Sequence, residues 1–94
     1  MNDEEATRIL NDVVVEVRRE SYGTPVARYL HESDSRTVVA ESGVQYQVEV
    51  QAFWDGRQSE NLRVIIAIDD GGWRAFSPLS TDFIVASDGS FVGE

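Results

Sequence analysis

Residues 44–69 read VQYQVEVQAFWDGRQSENLRVIIAID, and two runs in this stretch alternate apolar and polar residues with a period of two. The runs, Val44–Trp54 and Leu62–Ile68, flank a polar connection that opens with Asp55-Gly56, the pattern of an antiparallel hairpin. Closing it symmetrically about Gln58 sets Trp54 opposite Leu62, Val50 opposite Ile66 and Val48 opposite Ile68. The even-numbered row, Val44, Tyr46, Val48, Val50, Ala52, Trp54, Leu62, Val64, Ile66 and Ile68, then forms one apolar face. A slip of one residue would turn that whole row into water, so the register is strongly specified.

Outward from the hairpin, Thr37–Glu41 reads as a short strand, and Ser42-Gly43 supplies the turn into Val44. A three-residue loop with Gly43 in the left-handed conformation would align Val38 and Ala40 with the core row. On the other side, Asp69-Asp70-Gly71-Gly72 signals a tight turn leading into a strand at Trp73–Ser77. Trp73 and Ala75 would then join the core beside Ile68 and Ile66. Pro78 cannot donate to a ladder, so Ser77–Asp82 reads as a bend, bulge or edge segment. Phe83–Ala86 is a further strand, and Asp88-Gly89 turns the chain into Phe91-Val92.

Before the sheet, Asn2–Glu20 reads as an amphipathic helix. Ala6, Ile9, Leu10, Val13, Val14 and Val17 recur at the spacing of one buried stripe, with Val15 at its margin. Asn2 is placed to cap the first turn, with Glu5 as its capping-box partner. Asp3, Glu4 and Glu5 suit the positive end of the helix dipole; Arg18 and Arg19 suit the negative end. Glu4 and Arg8 form a favourable i, i+4 pair, and Gly23 is a natural stop. Thr24-Pro25 then opens a short second helix carrying Val26, Tyr29 and Leu30 on one face and ending near Ser33-Asp34-Ser35, with a short extended piece as the alternative. The expected architecture is α+β: an N-terminal amphipathic helix, with a short second helix, packed on a four- to five-stranded antiparallel β-meander. Residues 1–94 form a single domain, with no repeat or linker.

Composition narrows the classes of function. Seventeen acidic residues oppose eight basic ones, every base is arginine, and the formal net charge is −9. A field of that sign repels phosphate backbones and anionic lipid, so neither nucleic acid nor membrane is the expected partner. The acids are spread along the chain, which points to a solubilising role ahead of an acidic surface that binds a basic partner or mimics nucleic acid. There is no cysteine, in keeping with a reducing cytoplasm. The acidic start, Met1–Glu5, lacks the apolar run of a signal peptide, and no stretch approaches the roughly 20 apolar residues of a membrane-spanning helix.

No residue pattern points to catalysis, and no cofactor or metal is expected. The Asp-Gly pairs at Asp55, Asp70 and Asp88 lack the alternating oxygen ligands of a calcium loop and fit tight turns. Asp69 and Asp70 would point to opposite faces of a strand, which is poor geometry for shared acid–base work. His31 is the only histidine and has no nucleophile-and-acid set beside it in the sequence. The order of helix then meander broadly resembles that of cystatins, although Gln45-Tyr46-Gln47-Val48 does not match their inhibitory Gln-x-Val-x-Gly turn. It is also similar in outline to cone-shaped folds of the nuclear-transport-factor type, which enclose a ligand pocket with more helix. Both resemblances concern architecture alone.

The candidate working surface is the sheet's other face. Gln45, Gln47, Glu49 and Gln51 make the odd row polar, but Phe53, Ile65, Ala67 and Phe76 are apolar on the same side, with Arg63 and Arg74 beside them. Ile65 is expected across from or next to Phe76, with Phe53 a diagonal neighbour. Aromatic residues with arginine are typical interface anchors, so this patch is expected to bind a protein partner or a second copy as a homodimer. Tyr29 and Leu30, folding over the patch from the same chain, would instead make it core. The alternative function is a small-ligand site between helix and sheet around Tyr46, Trp54 and Trp73.

Overall fold

In a computed structural model of the chain, the described residues are 1–72 and 78–94. Two helices, α1 (Asp3–Arg18) and α2 (Gly23–Tyr29), precede four strands: β1 (Asp34–Val39), β2 (Gln45–Asp55), β3 (Asn61–Asp69) and β4 (Leu79–Val85). Among the described residues the strands form one antiparallel sheet in the order β1-β2-β3-β4, a meander.

The central hairpin closes in the expected register: Trp54 pairs with Leu62, Val50 with Ile66 and Val48 with Ile68. Most of the even row is the core, with Tyr46, Val48, Val50, Ala52, Leu62, Val64, Ile66 and Ile68 all excluded from solvent; Trp54 is half-buried, and Val44, which precedes β2, is exposed. Ala6, Leu10, Val13 and Val17 of α1 close over it, joined by Phe83 and Val85 of β4. The helix rests chiefly on β3 and β4, while α2 packs on β2. Val15 lies outside the stripe and is exposed, so periodicity decides the helix despite the β-branched run Val13-Val14-Val15.

The helices carry three corrections. Asn2 does cap α1, its Oδ1 accepting from the Glu5 N–H at 3.1 Å. The Glu5 carboxylate does not return the bond; it accepts instead from Ser42 Oγ and Tyr46 OH, both at 2.8 Å. Gly23 does not stop α1, which finishes at Arg18; it begins α2, in which Pro25 sits in the first turn where a missing N–H leaves no helical bond unmade. Glu4 and Arg8 form no ion pair with each other.

In the sheet, β1 begins at Asp34, three residues earlier than expected, with Asp34 paired to Val50 on β2; Arg36 is held by Asp34 and by Glu16 of α1. The loop after it behaves as read: Ala40 N donates to Val44 O, Gly43 N donates to Ala40 O, and Gly43 adopts φ +88°. The same three-residue loop recurs at Ser87–Gly89, where Ala86 N donates to Ser90 O and Gly89 has φ +89°. A Cβ in that conformation meets the carbonyl of its own residue, which explains glycine at both positions. The C-terminal segment then returns as a single bridge between Phe91 and Val85 and not as a strand of its own. Leu79–Asp82 is continuous with Phe83–Val85 in one edge strand that starts immediately after Pro78. β4 therefore occupies the place beside β3 that the sequence reading gave to Trp73 and Ala75: Ile66 pairs with Thr81 and Ile68 with Leu79. Trp73–Ser77 lie outside the described residues.

Candidate functional site

Because β-strand side chains alternate, the register that buries the even row fixes the composition of the opposite face. Across the strands, Phe53, Arg63 and Ile84 form one row, Gln51, Ile65 and Asp82 the next, and Glu49, Ala67 and Ser80 the third. Phe53 is 49% exposed, Ile65, Ala67 and Ile84 are half-buried, and Gln47, Ser80 and Asp82 lie open at the margin. Of the six residues singled out from sequence, four (Phe53, Arg63, Ile65 and Ala67) share this face. Arg74 and Phe76 lie outside the described residues, and the neighbour of Ile65 on β4 is Asp82, a correction that follows from where β4 starts. Ile84 belongs to the patch and was missed. Its signal was present, since burying Phe83 and Val85 sends Ile84 to the other side, but only the β3–β4 register places it beside Arg63.

Arg63 is a cross-strand strut. Its guanidinium donates to Asp55 on β2 at 3.2 Å and also to Asp82 on β4. Those two acceptors hold its pKa above even the usual arginine range. The patch therefore presents apolar surface between fixed charges. Tyr29 and Leu30 do not cover it. Tyr29 is fully buried in the core on the α1 side, its hydroxyl donating to Glu20, and Leu30 packs against that same core.

Shallow cavities lie at the periphery of the described residues. One, of about 220 Å³, sits on the exposed sheet face between Ser35, Glu49, Ala67 and Pro78. Another, of about 280 Å³, is a groove between α1 and β1, floored by Ile9, Val38 and Ala40. A third borders the loop Leu30–Ser33 beside Phe53. The layer around Tyr46 is packed: Tyr46 is wholly excluded from solvent and its hydroxyl is spent on Glu5. His31 is exposed and makes no hydrogen bond among the described residues. Asp69 and Asp70 turn carboxylate oxygens onto the N–H groups of Gly71 and Gly72, and Asp88 turns one onto Ser90. These backbone and hydroxyl donors hold the Asp70 and Asp88 carboxyls below the usual carboxylate range.

No family model, curated protein or solved structure shows detectable similarity to this chain.

Proposed function

We propose that this domain is non-enzymatic and works by protein contact through the sheet face opposite α1, with a second copy of the chain as the first partner to test. The observation that carries the reading is Phe53, 49% exposed near the end of β2, with Ile65 diagonal to it, Ile84 across Arg63 from it and Ala67 further along the same face. Aromatic and aliphatic side chains interspersed with arginine on one exposed face are typical anchors of a protein interface. The net charge of −9 supports a protein partner over nucleic acid or anionic lipid. A cytoplasmic location belongs to the same proposal, since a reducing compartment suits a chain built without cysteine.

Light scattering and sedimentation on the wild type, Ile65→Arg and Phe53→Arg test this reading. A wild-type dimer that becomes a folded monomer in both variants supports it. A wild-type monomer in which Ile65→Arg unfolds the chain means that the patch is core and not an interface.

A further inference from the structure

A four-stranded open sheet has two edges, and this chain treats them differently. Along β4 the returning C-terminal segment closes part of the edge: Phe91 bridges Val85, and Val92 N donates to Ile84 O at 2.9 Å. Along β1, the only pairing strand among the described residues is β2. The hairpin loop tells which backbone groups β1 leaves unpaired. Ala40 bonds across to Val44, so by antiparallel alternation Val38, Arg36 and Asp34 also turn their N–H and C=O groups toward β2. Ser35, Thr37 and Val39 turn theirs outward. Val39 is 61% exposed, the highest value among the large apolar residues described.

Beside this edge runs the groove between α1 and β1. Its floor is apolar, Ile9, Val38 and Ala40, and its rim carries Glu5, Asp12 and Glu41 against the single cation Arg8. Glu5 is bonded to Ser42 and Tyr46, whereas Asp12 and Glu41 are exposed and have no partner among the described residues.

We propose that the β1 edge and this groove receive an extended, positively charged peptide segment as an added strand. The outward groups of Ser35, Thr37 and Val39 supply backbone pairing that is indifferent to sequence. The floor takes an apolar side chain, and Asp12 and Glu41 take lysine or arginine. Charge selects this occupant over a second copy of the chain: the copy brings its own −9, and β1 pairing with itself would carry Asp34 and Glu41 to a rim already acidic. This surface is separate from the exposed sheet face.

The test uses the full chain and two synthetic peptides, one alternating lysine with valine and threonine, the other with glutamate in place of lysine. Amide shifts and hydrogen exchange are followed by NMR at low salt. The lysine peptide is expected to protect the amides of Ser35, Thr37 and Val39, and to bind at least roughly tenfold more tightly than the glutamate peptide. Thr37→Pro removes an outward donor and leaves the β2 ladder whole; it should keep the fold and weaken the lysine peptide about tenfold. Asp12→Arg combined with Glu41→Arg should reverse the preference between peptides. Absence of binding, equal binding of both peptides, or a folded Thr37→Pro that binds like wild type would overturn the proposal. So would shifts confined to Phe53 and Ile65, a result that would leave the sheet-face reading standing. Protection of the β1 amides that rises with protein concentration alone would assign the edge to a second copy. Should Thr37→Pro not fold, exchange at Thr37 in the wild type still decides the matter.

Discussion

Tyr46 carries a hydroxyl into an apolar layer, and Glu5 makes that burial tolerable by accepting its proton-bearing bond at 2.8 Å. Ser42 donates to the same carboxylate oxygen, so one residue of α1 ties the β1–β2 loop and a core strand to the helix. A buried hydroxyl without a partner is costly, and a bond to a charged acceptor is stronger than a neutral one. Tyr46→Phe keeps the ring and removes the bond; denaturant titration should show a loss of about 1–2 kcal/mol, softened by water reaching Glu5. The pH dependence has a definite sign. Burial first, then the hydrogen bond and charge of Glu5, raise the Tyr46 phenol above the ordinary tyrosine range. Burial and Glu20 do the same for Tyr29. A group with a raised folded pKa contributes stability that is whole below the unfolded value and is lost as pH climbs through the folded one. Stability should therefore decline above about pH 10, and less steeply in Tyr46→Phe than in the wild type. A steeper decline in the variant would contradict this assignment.

At the level of elements, α1 shows how far periodicity alone can go. Its buried positions Ala6, Leu10, Val13 and Val17 all lie on the expected stripe, because only one face of a helix can meet the sheet. Val13 is nearly excluded from solvent, so Val13→Asp places an unpaired charge against β-sheet side chains and should cost several kcal/mol of the roughly 5–15 typical of such a domain. Arg8 is exposed, and Arg8→Ala should cost under about 0.5 kcal/mol. Thermal melts of the two variants check the face directly, since equal shifts are incompatible with this packing. The last turn of α1 adds a contact that no local pattern announced. The Arg18 guanidinium lies 3.9 Å from the Phe91 ring centre and 5.6 Å from that of Phe83, and it also pairs with Glu94. The two rings meet edge to face at 5.7 Å. A residue read as a dipole partner thereby pins the returning C-terminal segment to the sheet.

For the whole molecule, charge sets the dominant long-range force. With −9 on a chain of 94 residues, self-repulsion opposes the compact state, and salt screens it over roughly 8–10 Å at moderate ionic strength. The melting temperature should rise between low and moderate salt; a flat or falling trend would count against this. The same repulsion acts between copies, so self-association through Phe53 and Ile65 should tighten with salt. Binding of a cationic strand at the β1 edge should loosen over the same range. The opposed salt trends separate the two surfaces without any mutation.

The sequence by itself determined what repeats at short range. Period-two alternation placed Tyr46, Val50, Val64 and Ile66 on one buried row and left Phe53, Ile65 and Ala67 on the other face, because a pleated strand has only two sides. Period 3.6 placed the stripe of α1, and the Gly43 loop set how β1 meets β2. Tertiary structure alone decided which segment lies beside β3. A turn such as Asp69–Gly72 says that the chain reverses, while the identity of the next paired residue depends on the whole sheet; the outcome is Ile65 beside Asp82, with Ile84 at the patch. It alone also bound Arg63 between Asp55 and Asp82, and sent Glu5 to Tyr46 and not back to its own helix cap. Charged side chains take the best acceptor or donor that packing brings within reach, and packing is a property of the folded chain, not of its local spacing.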